Sequence, residues 1–440
     1  MTKFNSNLSL APLAVFRIVF GLLMFFSTLR FWIKGWIYEL YILPDFHFKY
    51  YSFEWVEPLP SKLIYLVFIL MLISSIAIAL GWFYRVFSSL FFLSFTYIEL
   101  LDSANYLNHY YFVSLVALLL VFLPAHRIYS LDVKAKRAIA LDKGHQLYVN
   151  SFRILLTLVY FYAGLAKLNS DWLLEAAPLN IWLPSQSHLP LIGPLLNYKL
   201  TAYIFSWFGA FYDLSIAFFL WNKRTRIYAF VVVVIFHILT WVLFPIGVFP
   251  WVMIFSTLIF FPDSFHQKIL NKLNFIFKNT QEIKTKTTLS LSPILKTGLL
   301  IFFAFQLIWP WRYLAYPGKL FWNEEGYRLG WRVMLMEKAG YINYLVKDPR
   351  TKDYFEIEPS EFLSPNQVKQ LSTQPDLILQ FAHFLDKKYR KELNIEPEIY
   401  ANCFVNLQNK GAKRFINPST DLSKIEDSYK SKTWILPYEY

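Results

Sequence analysis

Apolar residues dominate nine stretches of the first 313 positions, at about 11–33, 62–80, 84–101, 110–123, 151–167, 201–221, 227–244, 248–262 and 294–313. A helix needs roughly 20 apolar residues to cross a bilayer core, and most of these stretches approach that length. Lipid offers the backbone no hydrogen-bond partners, so such segments close their bonds internally as helices. The pattern predicts a polytopic α-helical membrane protein of about nine spans, filling a domain over 1–313. Beyond that point the pattern changes. Charges, prolines and short alternating runs predict a mixed α/β or β-rich soluble outer domain over 314–440. Within it, 371–385 reads as a helix begun by Thr373 or Asp376, with Leu377, Phe381 and Leu385 on one face. Residues 400–407 and 433–436 read as strands, and the Lys-, Thr-, Asn- and Ser-rich stretch 263–293 as a connector.

Composition supports the membrane reading. At 56% hydrophobic and 17% charged, with mean hydropathy +0.36, the chain is too apolar for an ordinary soluble globule. A net charge of +13 raises the question of nucleic acid, and the placement of that charge answers it. One alternating set of loops, including Arg127, Arg137, Lys223, Lys278, Lys284 and Lys286, holds fourteen basic residues; the opposite set holds Lys34, Lys49 and Lys199 alone. By the positive-inside rule the first set is cytoplasmic, so the N-terminus is inside and 314–440 lies outside. The basic excess follows from topology and needs no nucleic-acid partner. A single cysteine, Cys403, excludes an intramolecular disulfide and a multi-cysteine metal site, and no metal is predicted. The first apolar stretch lacks a cleavage pattern and reads as an uncleaved span. No glycosylation sequon falls in an outer segment, which favours a bacterial inner membrane with the outer domain in the periplasm.

Candidate chemistry gathers at the outer level. In Tyr160-Phe-Tyr-Ala-Gly-Leu-Ala-Lys167-Leu-Asn-Ser-Asp171-Trp172, an apolar run ends in one lysine. An ionisable residue at a membrane edge is a functional candidate, and a desolvated lysine can serve as a neutral base. The other reading is a snorkelling lysine paired with Asp171 one turn on. Asp102, Asn105, Tyr106, Asn108 and His109 occupy the outer turn between the third and fourth stretches; His237 lies in the outer half of the seventh. Glu324, Glu325, Tyr327 and Arg328 follow the ninth. Convergence of these segments would form an apolar cavity with a few polar groups, the form of a small-molecule site. Each group also has a structural reading: a core histidine at 237, a helix cap at 108–109 and a solvated turn at 324–325. No metal-hydrolase, nucleotide-binding or serine-hydrolase motif occurs.

The chain resembles the vitamin K-dependent gamma-glutamyl carboxylase family, in its bacterial-type form with a horizontally transferred transmembrane domain. The matching stretches are the one ending at Trp172, Leu101-Asp-Ser-Ala-Asn-Tyr-Leu-Asn-His-Tyr110, and Phe236-His-Ile-Leu-Thr-Trp-Val-Leu-Phe-Pro-Ile-Gly-Val-Phe-Pro-Trp251. Further on are Tyr316-Pro-Gly-Lys-Leu-Phe-Trp-Asn-Glu-Glu-Gly-Tyr-Arg-Leu-Gly-Trp-Arg332 and Thr373-Gln-Pro-Asp-Leu-Ile-Leu-Gln-Phe-Ala-His383. The resemblance implies that Lys167 is the base that deprotonates vitamin K hydroquinone and that His109 serves the carboxylation half-reaction. It implies a cofactor-binding role for His237, Tyr327, Tyr106, Asn108 and Tyr162, and a substrate-binding role for Glu324, Glu325 and Trp322. Oxidation of the hydroquinone by O2 to the epoxide would supply a base that opens a peptide glutamate to CO2, inside a dry cavity. The implied partners are the bilayer, a reduced naphthoquinone and a glutamate-containing peptide. Asp171 is then expected as a local structural partner, with Asp102 and Asn108 orienting His109. The chain departs from the family in having Ala166-Lys167 where animal enzymes carry two lysines, and Pro310-Trp-Arg-Tyr313 where relatives carry a histidine. It also lacks the inter-half disulfide and any match to propeptide-binding regions. A quinol oxidase without carboxylation, and a non-catalytic transporter or scaffold, stay open as alternatives.

Overall fold

The computed structural model describes residues 7–277, 288–351 and 353–438; the basic residues Lys278, Lys284 and Lys286 lie outside them. All nine apolar stretches are helical: α1 (Ala11–Ile33), α2 (Ser61–Leu80), α3 (Tyr84–Leu101), α4 (Asn108–Phe122), α5 (Leu147–Ala166), α6 (Lys199–Trp221), α7 (Arg226–Leu243), α8 (Phe249–Thr257) and α10 (Pro293–Ile308). Between the last two, α9 (Asp263–Lys272) occupies part of the expected connector and packs beneath α1. Among the described residues, six helices are long and apolar enough to cross a membrane: α1, α2, α5, α6, α7 and α10 with its continuation to Ala315. The other three fall short for readable reasons. The α3 helix carries Arg85, Glu99 and three serines, which lower its hydropathy, while α4 and α8 have fewer residues.

The helices pack as neighbours in sequence: α2 on α1, α3 on α2, α4 on α3, α6 on α5, α7 on α6 and α8 on α7. A Cβ at Gly21 would stand 2.5 Å from the Ser75 carbonyl oxygen, so the α1–α2 approach depends on that glycine. Arg17, fully buried in α1, donates to the carbonyls of Ala125 and Tyr129. Paired in this way, its charge is a structural tie between α1 and the loop after α4.

The C-terminal region holds an antiparallel sheet in the order β4-β3-β5-β6, formed by β3 (Lys338–Lys347), β4 (Tyr354–Ile357), β5 (Glu398–Leu407) and β6 (Ala412–Arg414). A separate pair, β1 (Asn7–Ser9) with β2 (Lys143–His145), ties the N-terminal segment to the loop before α5. Buried positions alternate along β5, as the 400–407 reading requires. Residues 433–436 differ from expectation: they form no strand, only a bridge between Ile416 and Ile435. The expected helix over 371–385 is two helices, α11 (Pro365–Leu371) and α12 (Pro375–Leu393). Proline 375 disfavours helical backbone at the residue before it, so the chain breaks at 372–374 and restarts. Ser364 caps α11, whereas neither Thr373 nor Asp376 caps α12.

The C-terminal region is seated on turns between the helices by polar contacts. Gln380 and the Lys49 backbone exchange hydrogen bonds of 2.8 and 3.0 Å. Gln367 Nε2 donates to Phe46 O at 2.7 Å and to Asp102 Oδ2 at 2.9 Å, and Asn366 donates to Asn105 at 2.9 Å. Burial pushes the Asp102 carboxyl up to about 7, against the pull of its hydrogen bonds from Ala104 and Gln367.

Candidate active site

The lysine motif works through the closeness of α5 and α6. Tyr160, Ala163, Gly164 and Lys167 recur on one face of α5. A Cβ at Gly164 would lie 2.7 Å from Leu214 N and 3.0 Å from the Asp213 carbonyl carbon, so only glycine lets α6 come this near. That approach brings Asp213 Oδ2 within 2.7 Å of Lys167 Nζ, which also donates to Ala163 O at 3.2 Å. Lys167 is 7% exposed and Asp213 6%. The Trp172 ring stands 5.3 Å from the ammonium, and its indole N–H donates to Ser206 O at 2.8 Å on α6.

Asp171 does not pair with Lys167. It bridges to Lys319 at 2.9 Å and Lys410 at 3.0 Å, linking the turn after the motif to the C-terminal region. Burial works against its charge, but the two lysines outweigh it and hold the carboxyl below its ordinary value. The local partner that spacing proposed is one turn away on the helix; the actual partner is 46 residues on, in α6. An aspartate inside the apolar stretch 201–221 was a legible signal for it, because buried acids in spans need a partner.

His237 on α7 bonds Tyr160 through Nε2 at 3.2 Å, so it is tied to the face that carries Lys167. Phe249, at the start of α8, lies between the two histidines, with ring centroids 5.6 Å from His109 and 6.1 Å from His237. Beside His109 opens a cavity of about 1200 Å³. Leu23, Phe31, Trp241, Phe249 and Trp251 give it an apolar wall. Glu324, Tyr327, Arg328, Arg332, Lys338 and Gln374 give it a polar one. Tyr106, Asn108, His109, Glu324 and Tyr327 thus converge there, while Lys167, His237, Tyr162, Glu325 and Trp322 are not among its lining residues.

Several of these polar groups are already engaged. Tyr106 OH accepts from Leu329 N at 2.8 Å and donates to Asn108 Oδ1 at 3.0 Å; Asn108 Nδ2 donates to Arg332 O at 2.8 Å. Together they fasten the irregular segment 324–337, where Glu324, Leu329, Trp331 and Met334 all have positive φ. Such backbone persists only when surrounding structure enforces it. Trp331 supplies much of that enforcement: it is 1% exposed and stacks on Tyr111 at 5.0 Å. Glu324 pairs with Lys338 at 2.8 Å, and Arg328 pairs with Asp376 and bonds Gln374. Glu325 accepts from Lys432 N at 2.8 Å beside a second, smaller cavity. Trp322 is a core residue whose indole donates to Leu436 O at 2.7 Å. Tyr162 donates to Leu307 O and accepts from Trp311 Nε1 at 2.9 Å, joining α5 to α10.

Two family models match the chain: the HTTM domain over residues 5–265, and the lumenal domain of vitamin K-dependent gamma-carboxylase over residues 291–440. The first alone covers more than half of the chain. The chain belongs to the vitamin K-dependent gamma-carboxylase family. It is a gamma-carboxylase-like integral membrane protein, and the cavity lies where residues matched by the two models meet. No solved structure gives a significant match. Among the described residues, no group of three His, Cys, Asp or Glu side chains is placed to hold a metal ion.

Proposed function

We propose that this gamma-carboxylase relative oxidises reduced vitamin K with O2 to the epoxide and carboxylates a peptide glutamate with CO2. The observation that carries the reading is the cavity with one apolar and one polar wall. Small-molecule sites usually occupy about 300–1000 Å³, so this one has room for a ring ligand and a substrate side chain together. Its aromatic residues suit a flat ring delivered from the lipid. Oxidation of that ring supplies an oxygen base stronger than any side chain.

The protein's own residues have separate tasks in this scheme. Lys167 does not line the cavity, and its role of taking the ring hydroxyl proton is assigned by its place in the motif alone. It can do so only as a neutral amine, and Asp213, 2.7 Å away, is the acceptor for the proton it must first release. His109, on the cavity wall, exchanges protons at the carboxylation centre, and Asn108 fixes the adjoining backbone. His237 and Tyr162 brace the helices around the ring, while Tyr106 and Tyr327 shape its cavity. Glu324, Glu325 and Trp322 hold the outer segment against which the peptide lies. Water would quench a carbanion, and the apolar wall keeps it from the reacting carbon. In the same reading, 1–313 is the catalytic membrane domain and crosses nine times. Its N-terminus is cytoplasmic, and 314–440 is periplasmic at a bacterial inner membrane.

The test uses the purified full chain in detergent with reduced vitamin K and O2. Epoxide should form, and Lys167→Ala should lower its rate by about 100-fold or more, the usual worth of a positioned base. A small exogenous amine should restore part of the loss. Equal epoxide from both proteins sinks the base assignment. Labelled CO2 entering a glutamyl peptide separates a carboxylase from a quinol oxidase.

A further inference from the structure

The polar wall of the cavity contains one cation that nothing described so far explains. Arg328 is paired with Asp376, and Lys338 with Glu324. Lys34 and Lys369 reach solvent, and Arg30 is half-buried over Trp36. Arg332 is 6% exposed and forms no salt bridge among the described residues. Its guanidinium meets Gly330 O at 3.4 Å and Pro310 O at 3.5 Å and lies 4.3 Å from the Tyr313 ring centroid, with the Tyr313 hydroxyl near enough to interact, but no carboxylate among the described residues reaches it. A second guanidinium, Arg312, is near enough to act on it electrostatically. An unpaired buried cation beside a like charge is costly unless a ligand completes it.

We propose that Arg332 is the receptor for the side-chain carboxylate of the target glutamate. A planar guanidinium matches a carboxylate with two parallel N–H···O bonds, which a lysine cannot reproduce. Its place is held before any ligand arrives, because Asn108, the neighbour of His109, donates to the Arg332 carbonyl at 2.8 Å. The inference rests on the carboxylase reading and adds a chemical reason to it. When the γ C–H bond breaks, the proton goes to the oxygen base from the quinol half-reaction. The electron pair spreads onto the two carboxylate oxygens, which then carry a second negative charge. A contacting guanidinium opposes that charge where it develops, so binding and activation use the same group. The new carbon–carbon bond then forms to CO2, and the product keeps the original carboxylate on Arg332.

The experiment measures binding first, by titration calorimetry on the full chain in detergent. Its probes are a capped short peptide with one glutamate and its glutamine twin. Wild type should prefer the glutamate peptide by roughly 10- to 100-fold, the range for a charge-assisted pair. Arg332→Gln should abolish the preference while leaving affinity for the glutamine peptide unchanged. Arg332→Lys, which keeps the charge and guards against misfolding, should lose roughly tenfold of it. No preference in wild type, or an unchanged preference in Arg332→Lys or a folded Arg332→Gln, overturns the assignment. Epoxide is measured on the same samples. A preference lost on substitution with no epoxide from any protein supports the carboxylate site and removes the catalytic reading. Epoxide with an unchanged preference removes the site alone.

Discussion

At the scale of single residues, the Lys167–Asp213 pair is the most exposed to experiment. Both side chains are 8% exposed, and the bond between them is 2.7 Å. Removing one member of a buried pair strands the other charge, at a cost of about 3–5 kcal/mol, whereas replacing both with apolar groups is often neutral. Asp213→Leu should therefore lower the unfolding midpoint in detergent, and Lys167→Met combined with Asp213→Leu should recover most of the loss. A double-mutant cycle with coupling near zero would show that the two side chains do not depend on each other. The cycle reads stability alone, so it stands apart from any assay of turnover.

Between elements, the same pair depends on how closely two helices approach. Gly164 has no room for a methyl group against the α6 backbone, and backbone yields less readily than a flexible side chain. Gly164→Ala should push α5 and α6 apart, costing about 1–3 kcal/mol by overpacking. Gly298→Ala on α10, where a Cβ meets nothing within 4 Å, is the matched control and should not destabilise. Equal unfolding midpoints for the two variants would refute the close-approach argument. This contrast also marks what the sequence could reveal. The apolar stretches were legible as helices because lipid leaves the backbone no alternative. The motif around Lys167 was legible as a candidate, but its partner was not, because helical spacing finds neighbours on one helix and Asp213 comes from another. Asp171 looked like the partner for the same reason and instead meets Lys319 and Lys410. The strand β3 escaped notice because its burial does not alternate: exposed positions 339–341 are followed by buried 342–344. Tyr106 and Asn108 were legible as outer-turn polar residues, but their attachment to 329–332 is a contact across more than 220 residues.

For the whole molecule, the number of crossings decides which side the cavity's polar wall faces. Among the described residues six helices are long and apolar enough by themselves, an even number that would return residue 314 to the side of the N-terminus. Nine crossings put it on the opposite side. Packing favours the odd number: α3 lies along α2, α4 along α3 and α8 along α7, joined by turns of three, six and five residues. Helices so joined must reverse direction and run back through the layer that α2 occupies. Lys223, in the α6–α7 turn, lies on the side of the N-terminus on either count, whereas Lys430 lies on the opposite side for nine crossings and on the same side for six. Both positions are exposed, and the native Cys403 is fully buried, so single cysteines there can be read against a quiet background. A membrane-impermeant maleimide applied to intact spheroplasts should label Lys430→Cys and spare Lys223→Cys, with both labelled after permeabilisation. Protection of both before permeabilisation would establish an even number of crossings and place the cavity's polar wall in the cytoplasm, where the proposed periplasmic peptide substrate could not reach it.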